Sequence, residues 1–205
     1  IPDNFSQGAR FTGSEWFIVE GDEYDTAFFD KRSKFVHYLP EIVLINNLEF
    51  DHADIFADLG QIQTSFSRLV NLVPRNGLLV VNEDDENILP LLKTTHCPVK
   101  RFGIKDAGSV EHTTQGACFN FDGFRFHLPL FGELNVRNAL GVIVVGRHCG
   151  LSNQQIQSGF DTFKGIRRRM EVRGEFQGVT VVDDFAHHPT AIRETLIAAR
   201  VRFPG

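Results

Sequence analysis

Glu20, Asp22, Glu23 and Asp25 crowd four carboxylates into six residues directly after the apolar run WFIV. Like charges this close repel one another unless a cation sits among them, so the segment is either a divalent-metal site or a solvated acidic turn. A second acidic loop, NNLEFDHAD over residues 46–54, also follows an apolar run and sets His52 between Asp51 and Asp54. An imidazole with an unperturbed pKa of ~6.5 can bind metal or carry a proton, although a surface loop histidine is the plainer reading. Two such loops strengthen the case for one shared ion, and their oxygen-rich donors favour Mg²⁺ or Mn²⁺ over zinc. A third segment, DDFAHHP over residues 183–189, joins an apolar run to a helix with Pro189 in its first turn. The N–H groups and dipole of such a junction suit a phosphate, whereas Asp183 or His188 would serve equally well as a helix cap. Arg167, Arg168 and Arg169 form a basic run close by, either a phosphate clamp or a solvated surface. The lysine-bearing phosphate loop GxxxxGK[ST] does not occur in the sequence.

Loops can converge on a ligand only if strands and helices aim them. Residues 15–20 and 42–47 read as buried strands, each running into one of the acidic loops. Asp58 is placed to cap a helix whose apolar residues Leu59, Ile62, Phe66, Leu69, Val70 and Val73 recur at helical spacing, with Gly77 as its stop. Residues 78–82 form a third buried strand, 84–93 a short helix and 100–104 a fourth strand, an alternation that predicts an α/β fold. Gly116 and the pair Asp122-Gly123 punctuate short alternating runs, which predicts a β-hairpin insert within 108–130. Helices follow over 135–149 and from Ser152 to about residue 163, and Lys164 and Gly165 read as a hinge. Two strands around Gln177-Gly178 and a final helix from Pro189 complete the pattern, giving expected domains of 1–165 and 166–205.

The 205 residues, 42% of them hydrophobic, suffice for a real core. With 26 acidic against 21 basic side chains, net −5, the chain lacks the basic surplus of a nucleic-acid binder. No apolar run approaches the ~20 residues of a bilayer span, so no membrane partner is expected. Three cysteines in no disulfide or CxxC pattern fit a reducing cytoplasm. The start at Ile1, the lone Met170 and the stop right after an amphipathic stretch predict a piece of a longer protein, catalytically silent by itself.

Taken in order, VEGDEYD, NNLEFDHAD, NEDD, GELNVRNAL, RRME and DDFAHHPT resemble the Mur ligase family over nearly the whole chain. That resemblance implies a P-loop-type ATPase central domain, its P-loop lying outside these residues, followed by the first strands and helix of a Rossmann-like C-terminal domain. It also implies ATP-dependent amide formation in bacterial cell-wall synthesis. The stretch EGDEYDTAFFDKRSKFVHYLP with NNLEFDHADIF is similar to one branch, which joins UDP-N-acetylmuramate to the tripeptide L-alanyl-γ-D-glutamyl-meso-diaminopimelate during peptidoglycan recycling. The alanine-adding branch is the nearest alternative, and a non-catalytic nucleotide-binding module is a further one.

Residue by residue, the resemblance assigns Glu20 and His52 to Mg²⁺, Asn138 to the adenine of ATP, Arg169 and Asp184 to the nucleotide, and His187 to the neighbourhood of the phosphates. His52 and His187 are the catalytic candidates. Asn82, Asp84 and Asp85 match a family signature that capping of the next helix would also explain. Two positions depart from the family. Leu134 precedes Asn135 where a histidine is usual, and Phe66 stands about where several branches carry a carbamoylated lysine.

Overall fold

The structure, a computed structural model, describes residues 1–5, 7–51 and 55–204. Along the chain the elements are β1 (Asp25–Ala27), β2 (Asp30–Ser33), β3 (Ile42–Ile45), α1 (Leu59–Leu72), β4 (Leu78–Asn82), β5 (Val99–Phe102), β6 (Glu111–Thr113), β7 (Gly116–Phe121) and β8 (Phe124–Leu128). They continue with α2 (Glu133–His148), α3 (Asn153–Thr162), β9 (Glu171–Phe176), β10 (Val179–Asp183) and α4 (Pro189–Arg202). Two compact units result. One comprises Glu15–Gly103 and Gly141–Cys149, the other Ile1–Ser14, Ile104–Leu140 and Gly150–Gly205.

The first unit is built on the parallel sheet β3-β4-β5. Its central strand LLVVN is buried at every residue, as a strand covered on both faces must be. α1 packs Ile62, Leu69 and Val70 into the same core as Val43, Ile45, Leu79 and Val81. Asp58 caps this helix by accepting the Gln61 N–H at 2.9 Å, and Gln61 Oε1 returns the favour to the Ala57 N–H. α1 ends at Leu72 with Val73 as its C-cap, so Gly77 is not the helix stop that its position suggested. Leu78 N–H donates to the Glu41 carbonyl, and a Cβ at residue 77 would lie 2.3 Å from that same oxygen.

The expected strand over 15–20 does not form. These residues are exposed, Ile18 by 92%, and among the described residues the sheet ends at β3, which pairs with β4 alone. Continuous apolarity says that a segment would be buried given partner strands on either side; it does not supply them. The short antiparallel hairpin β1-β2 and the 3-10 turn Lys34–His37 lie between the acidic turn and β3, and the sequence pattern did not reveal them. The helix expected over 84–93 is a 3-10 segment, Leu89–Thr94, with proline in its first turn.

At the hairpin, Arg32 forks onto Asp30, Nε to Oδ1 at 2.9 Å and Nη2 to Oδ2 at 2.8 Å, with His37 Nε2 3.1 Å from Oδ2. The Arg32 side-chain bond, then its backbone N–H, holds the Asp30 carboxyl well below its ordinary value of 3.8. A depressed folded-state pKa means that Asp30's contribution to stability is complete above about 3.8 and is lost as pH falls through the lower folded-state value. A carbon-13 titration of this carboxyl is expected to give a midpoint below 3.8, and a midpoint at or above it would mean that the fork is open in solution.

The second unit holds the antiparallel sheet β6-β7-β8, three strands where a hairpin was expected. Asp122 and Gly123 take positive φ, 48° and 77°, as a two-residue hairpin turn requires. Phe126 lies 5.8 Å from Phe119 and 6.0 Å from Phe160 of α3, fastening the helix to the sheet. Gln157 of α3 also brackets His127, accepting its N–H and donating to its carbonyl, both at 2.9 Å. Ser152 and Gln155 form the reciprocal capping box that starts α3. The hairpin β9-β10 turns at Gln177 and Gly178 and leads into α4. No helix among the described residues is long and apolar enough to cross a membrane.

Candidate functional site

Two of the four carboxylates of the acidic turn are paired with lysines: Lys34 Nζ lies 2.8 Å from Asp22 Oδ2 and Lys31 Nζ 2.7 Å from Asp25 Oδ2. Tyr24 N–H also donates to Asp22. Glu20 is exposed and forms no ion pair with a described residue. His52 lies outside the described residues. Among the described residues, no group of three or more His, Cys, Asp or Glu side chains is arranged to hold a metal ion.

The loop after β3 is braced by the NEDD segment, in a way that the sequence did not show. Asn82, 3% exposed, donates through Nδ2 to the Asn46 carbonyl at 2.9 Å, and its Oδ1 accepts the Asp84 N–H. Asp85 Oδ2 accepts the Leu48 N–H at 2.6 Å, while Asn87 Nδ2 donates to the Leu48 carbonyl at 2.8 Å. These side chains thus replace ladder partners for a backbone that has just left the sheet, and they fix the path leading to Asp51. Asp85→Ala strands the N–H of Leu48, a buried residue. It is expected to cost about 1.5–3 kcal/mol in urea unfolding, and a change below ~0.5 kcal/mol, typical of an unconstrained surface site, would contradict the bracing role.

On α1, Phe66 is partly buried against the core and meets Phe35 edge-on at a centroid distance of 5.3 Å. Its neighbour Ser65 is the buried polar residue, sharing a 2.6 Å hydrogen bond with Ser33.

In the other unit, Asp184 is the knot of the loop between β10 and α4. Its carboxylate accepts the Met170 N–H at 2.9 Å and the Ala186 N–H at 2.8 Å, with the Thr195 hydroxyl at 3.4 Å. Arg169 Nη1 stands 3.8 Å from it. The residues on either side of Arg169, Arg168 and Met170, have positive φ of 58° and 50°, costly for side chains of this kind; Glu171 Oε2 accepts the Arg168 N–H at 2.8 Å and Asp184 the Met170 N–H. Arg168 stacks its guanidinium 4.8 Å from the Phe185 ring, and Arg173 closes onto Asp183 at 3.0 Å. His187 Nδ1 lies 2.9 Å from the Phe185 carbonyl, which orients the ring. α4 begins with Pro189, and the His188 side chain does not cap it. Asn138 is half-buried on α2, one turn beyond exposed Leu134, and Asn135 donates to the Phe131 carbonyl.

Asp184, Arg169 and His187 are therefore brought into one loop system, with carboxylate, guanidinium and imidazole at the start of a helix. Such an arrangement can receive an anionic oxygen through Arg169 and the dipole of α4.

The family description "Mur ligase middle domain" matches residues 3–146, and "Mur ligase, glutamate ligase domain" matches residues 168–205. The chain is 43% identical to the Escherichia coli K12 protein named UDP-N-acetylmuramate–L-alanyl-γ-D-glutamyl-meso-2,6-diaminoheptandioate ligase, covering 100% of this chain and 46% of that one. It is 35% identical to a UDP-N-acetylmuramate–L-alanine ligase of Clostridium botulinum Loch Maree, over 97% of this chain and 44% of that one. A crystal structure of the UDP-N-acetylmuramate:L-alanyl-γ-D-glutamyl-meso-diaminopimelate ligase of Neisseria meningitidis superposes with a TM-score of 0.71 at 42% identity. That match covers 82% of this chain and 56% of the Neisseria one. The chain spans about half the length of the curated relatives it matches.

Proposed function

The chain belongs to the Mur ligase family, and on that premise we propose that the protein containing it joins UDP-N-acetylmuramate to L-alanyl-γ-D-glutamyl-meso-diaminopimelate at the expense of ATP, as a cytoplasmic step of peptidoglycan recycling. The observation that carries this reading is the likeness, along the whole chain, to the Escherichia coli ligase of that name. The alanine-adding ligase is the second reading, favoured by the Clostridium relative. Supplying the full-length protein with equal tripeptide and L-alanine separates the two. The tripeptide product is expected to dominate, and faster alanine ligation would transfer the protein to the other branch.

Chemistry dictates the order of events. A carboxylate does not acylate an amine at neutral pH, so one oxygen of the muramyl lactyl carboxylate first attacks the γ-phosphorus of ATP, expelling ADP and forming an acyl phosphate. The tripeptide amine then attacks the carbonyl carbon. The resulting tetrahedral oxyanion collapses with loss of phosphate, and the amine's proton passes to solvent or base. Asn138 would receive the adenine, Arg169 the nucleotide's anionic oxygens, and His187 would lie by the phosphates.

Mg²⁺ takes oxygen donors and is commonly held by one or two protein groups, with phosphates and water completing its shell. Exposed Glu20 has the donor chemistry for this, and with His52 it would hold the ion, which when bound offsets the charge of triphosphate and carboxylate. The role of Asp184 is to hold the backbone turn that carries Arg169, since both its oxygens already accept N–H groups. Asp184→Ala in the full-length protein is expected to weaken ATP binding by about 1.5–3 kcal/mol, the charged hydrogen bond that a misplaced Arg169 would lose. Unchanged ATP affinity in a calorimetric titration would remove Asp184 from the nucleotide site.

A further inference from the structure

The β1-β2 hairpin and the outer face of α1 enclose a cleft of about 520 Å³ that the ligase chemistry above does not use. From α1 it is lined by Gln61, Thr64, Ser65 and Arg68, spaced i, i+3, i+4 and i+7, so a single polar stripe of the helix faces it. The hairpin contributes Lys31 and Arg32, but both cations are engaged, with Asp25 and Asp30 respectively. Arg68 also lines the cleft, and among the described residues its guanidinium has no ion-pair or hydrogen-bond partner. Beside it, Ser33 and Ser65 share a single 2.6 Å hydrogen bond between two hydroxyl groups, so one hydroxyl hydrogen remains to be donated. Ile55 and Phe56 supply an apolar wall.

A planar five-donor fork, a spare hydroxyl hydrogen and an apolar wall suit a paired anionic oxygen group on an aliphatic stem. We propose that this cleft is a substrate subsite in which Arg68 takes a carboxylate or phosphoryl oxygen pair, the Ser33–Ser65 pair donates to the same anion, and Ile55 and Phe56 cover the adjoining carbon chain. The proposal rests on the ligase reading, whose two substrates both carry such groups: the carboxylates of the glutamyl and diaminopimelyl residues, and the diphosphate of the UDP-sugar.

The test uses the full-length protein as wild type, Arg68→Ala and Arg68→Lys, with KM measured separately for tripeptide, UDP-N-acetylmuramate and ATP. Calorimetric binding of the tripeptide and the UDP-sugar is measured in parallel. Arg68 is exposed, so the variants are expected to melt with the wild type. Loss of the fork should raise KM for one of the two substrates roughly tenfold to a hundredfold, with ATP unaffected and with lysine restoring only part of the loss. A rise confined to the tripeptide assigns the cleft to a peptide carboxylate, and one confined to the UDP-sugar assigns it to the diphosphate. Unchanged KM for both overturns the subsite. Should the wild type fail to ligate at all, the failure belongs to the proposed function. Calorimetry then decides the subsite: weaker binding of either substrate by Arg68→Ala supports it, and equal binding overturns it.

Discussion

Alanine in place of Glu20 or His52, made in the full-length protein, is expected to lower kcat by roughly a hundredfold or more, equivalent to ~2.7 kcal/mol of lost transition-state stabilisation. Glu20 is exposed and braces nothing among the described residues, so its variant should retain wild-type stability to within ~0.5 kcal/mol. That separation is what distinguishes a metal-binding carboxylate from a structural one. The neighbouring acids provide a control. Asp22 and Asp25 are neutralised by Lys34 and Lys31, so Asp25→Ala should leave kcat far closer to normal than Glu20→Ala does. Near-normal rates for both Glu20→Ala and His52→Ala at saturating Mg²⁺ would return the two loops to solvated turns.

The largest effect on stability is expected at Gly77. An added Cβ there would sit 2.3 Å from the Glu41 carbonyl oxygen, 2.9 Å from Val73 Cγ1 and 3.0 Å from the Pro74 carbonyl. Two of the three are backbone atoms at the mouth of the parallel β3-β4 pair, where Leu78 N–H meets Glu41. Relief would require the strands to part, and Gly77→Ala should cost about 3 kcal/mol, the upper part of the range for overpacking. Gly159 on α3 is the matched control, with nothing within 4 Å of its added Cβ. There alanine should be neutral or stabilising by up to ~1 kcal/mol. Equal melting of the two variants would show that the close approach at Gly77 relaxes without cost.

What the sequence made legible was what depends on neighbours close along the chain. Asp58 and Ser152 cap α1 and α3 where their types and spacing place them, and the glycines of Asp122-Gly123 and Gln177-Gly178 mark tight turns. LLVVN is buried throughout because its composition and its neighbours β3 and β5 agree. The run WFIV carries an equally strong local signal and forms no strand, because pairing is a property of distant segments. The same limit hid the best-supported brackets of the site. Nothing local to Asn82 or Asp85 says that their partners are Asn46 and Leu48, more than thirty positions away. Motif resemblance singles out Asp184, but its hold on the Met170 and Ala186 N–H groups was not legible. Gly77 read as a helix stop, but α1 ends at Leu72, and the constraint at Gly77 comes from Glu41 across the sheet.

Formation of an acyl phosphate is the centre of the account, and the fate of carboxylate oxygen tests it most directly. UDP-N-acetylmuramate labelled with oxygen-18 in its lactyl carboxylate would be incubated with the full-length protein, ATP, Mg²⁺ and tripeptide, and the released phosphate analysed by phosphorus NMR or mass spectrometry. The carboxylate oxygen that attacks the γ-phosphorus leaves with the phosphate when the amine displaces it. One labelled oxygen is therefore expected in inorganic phosphate for each amide bond formed. Amide formation with unlabelled phosphate, or ATP hydrolysis without amide, would contradict the account.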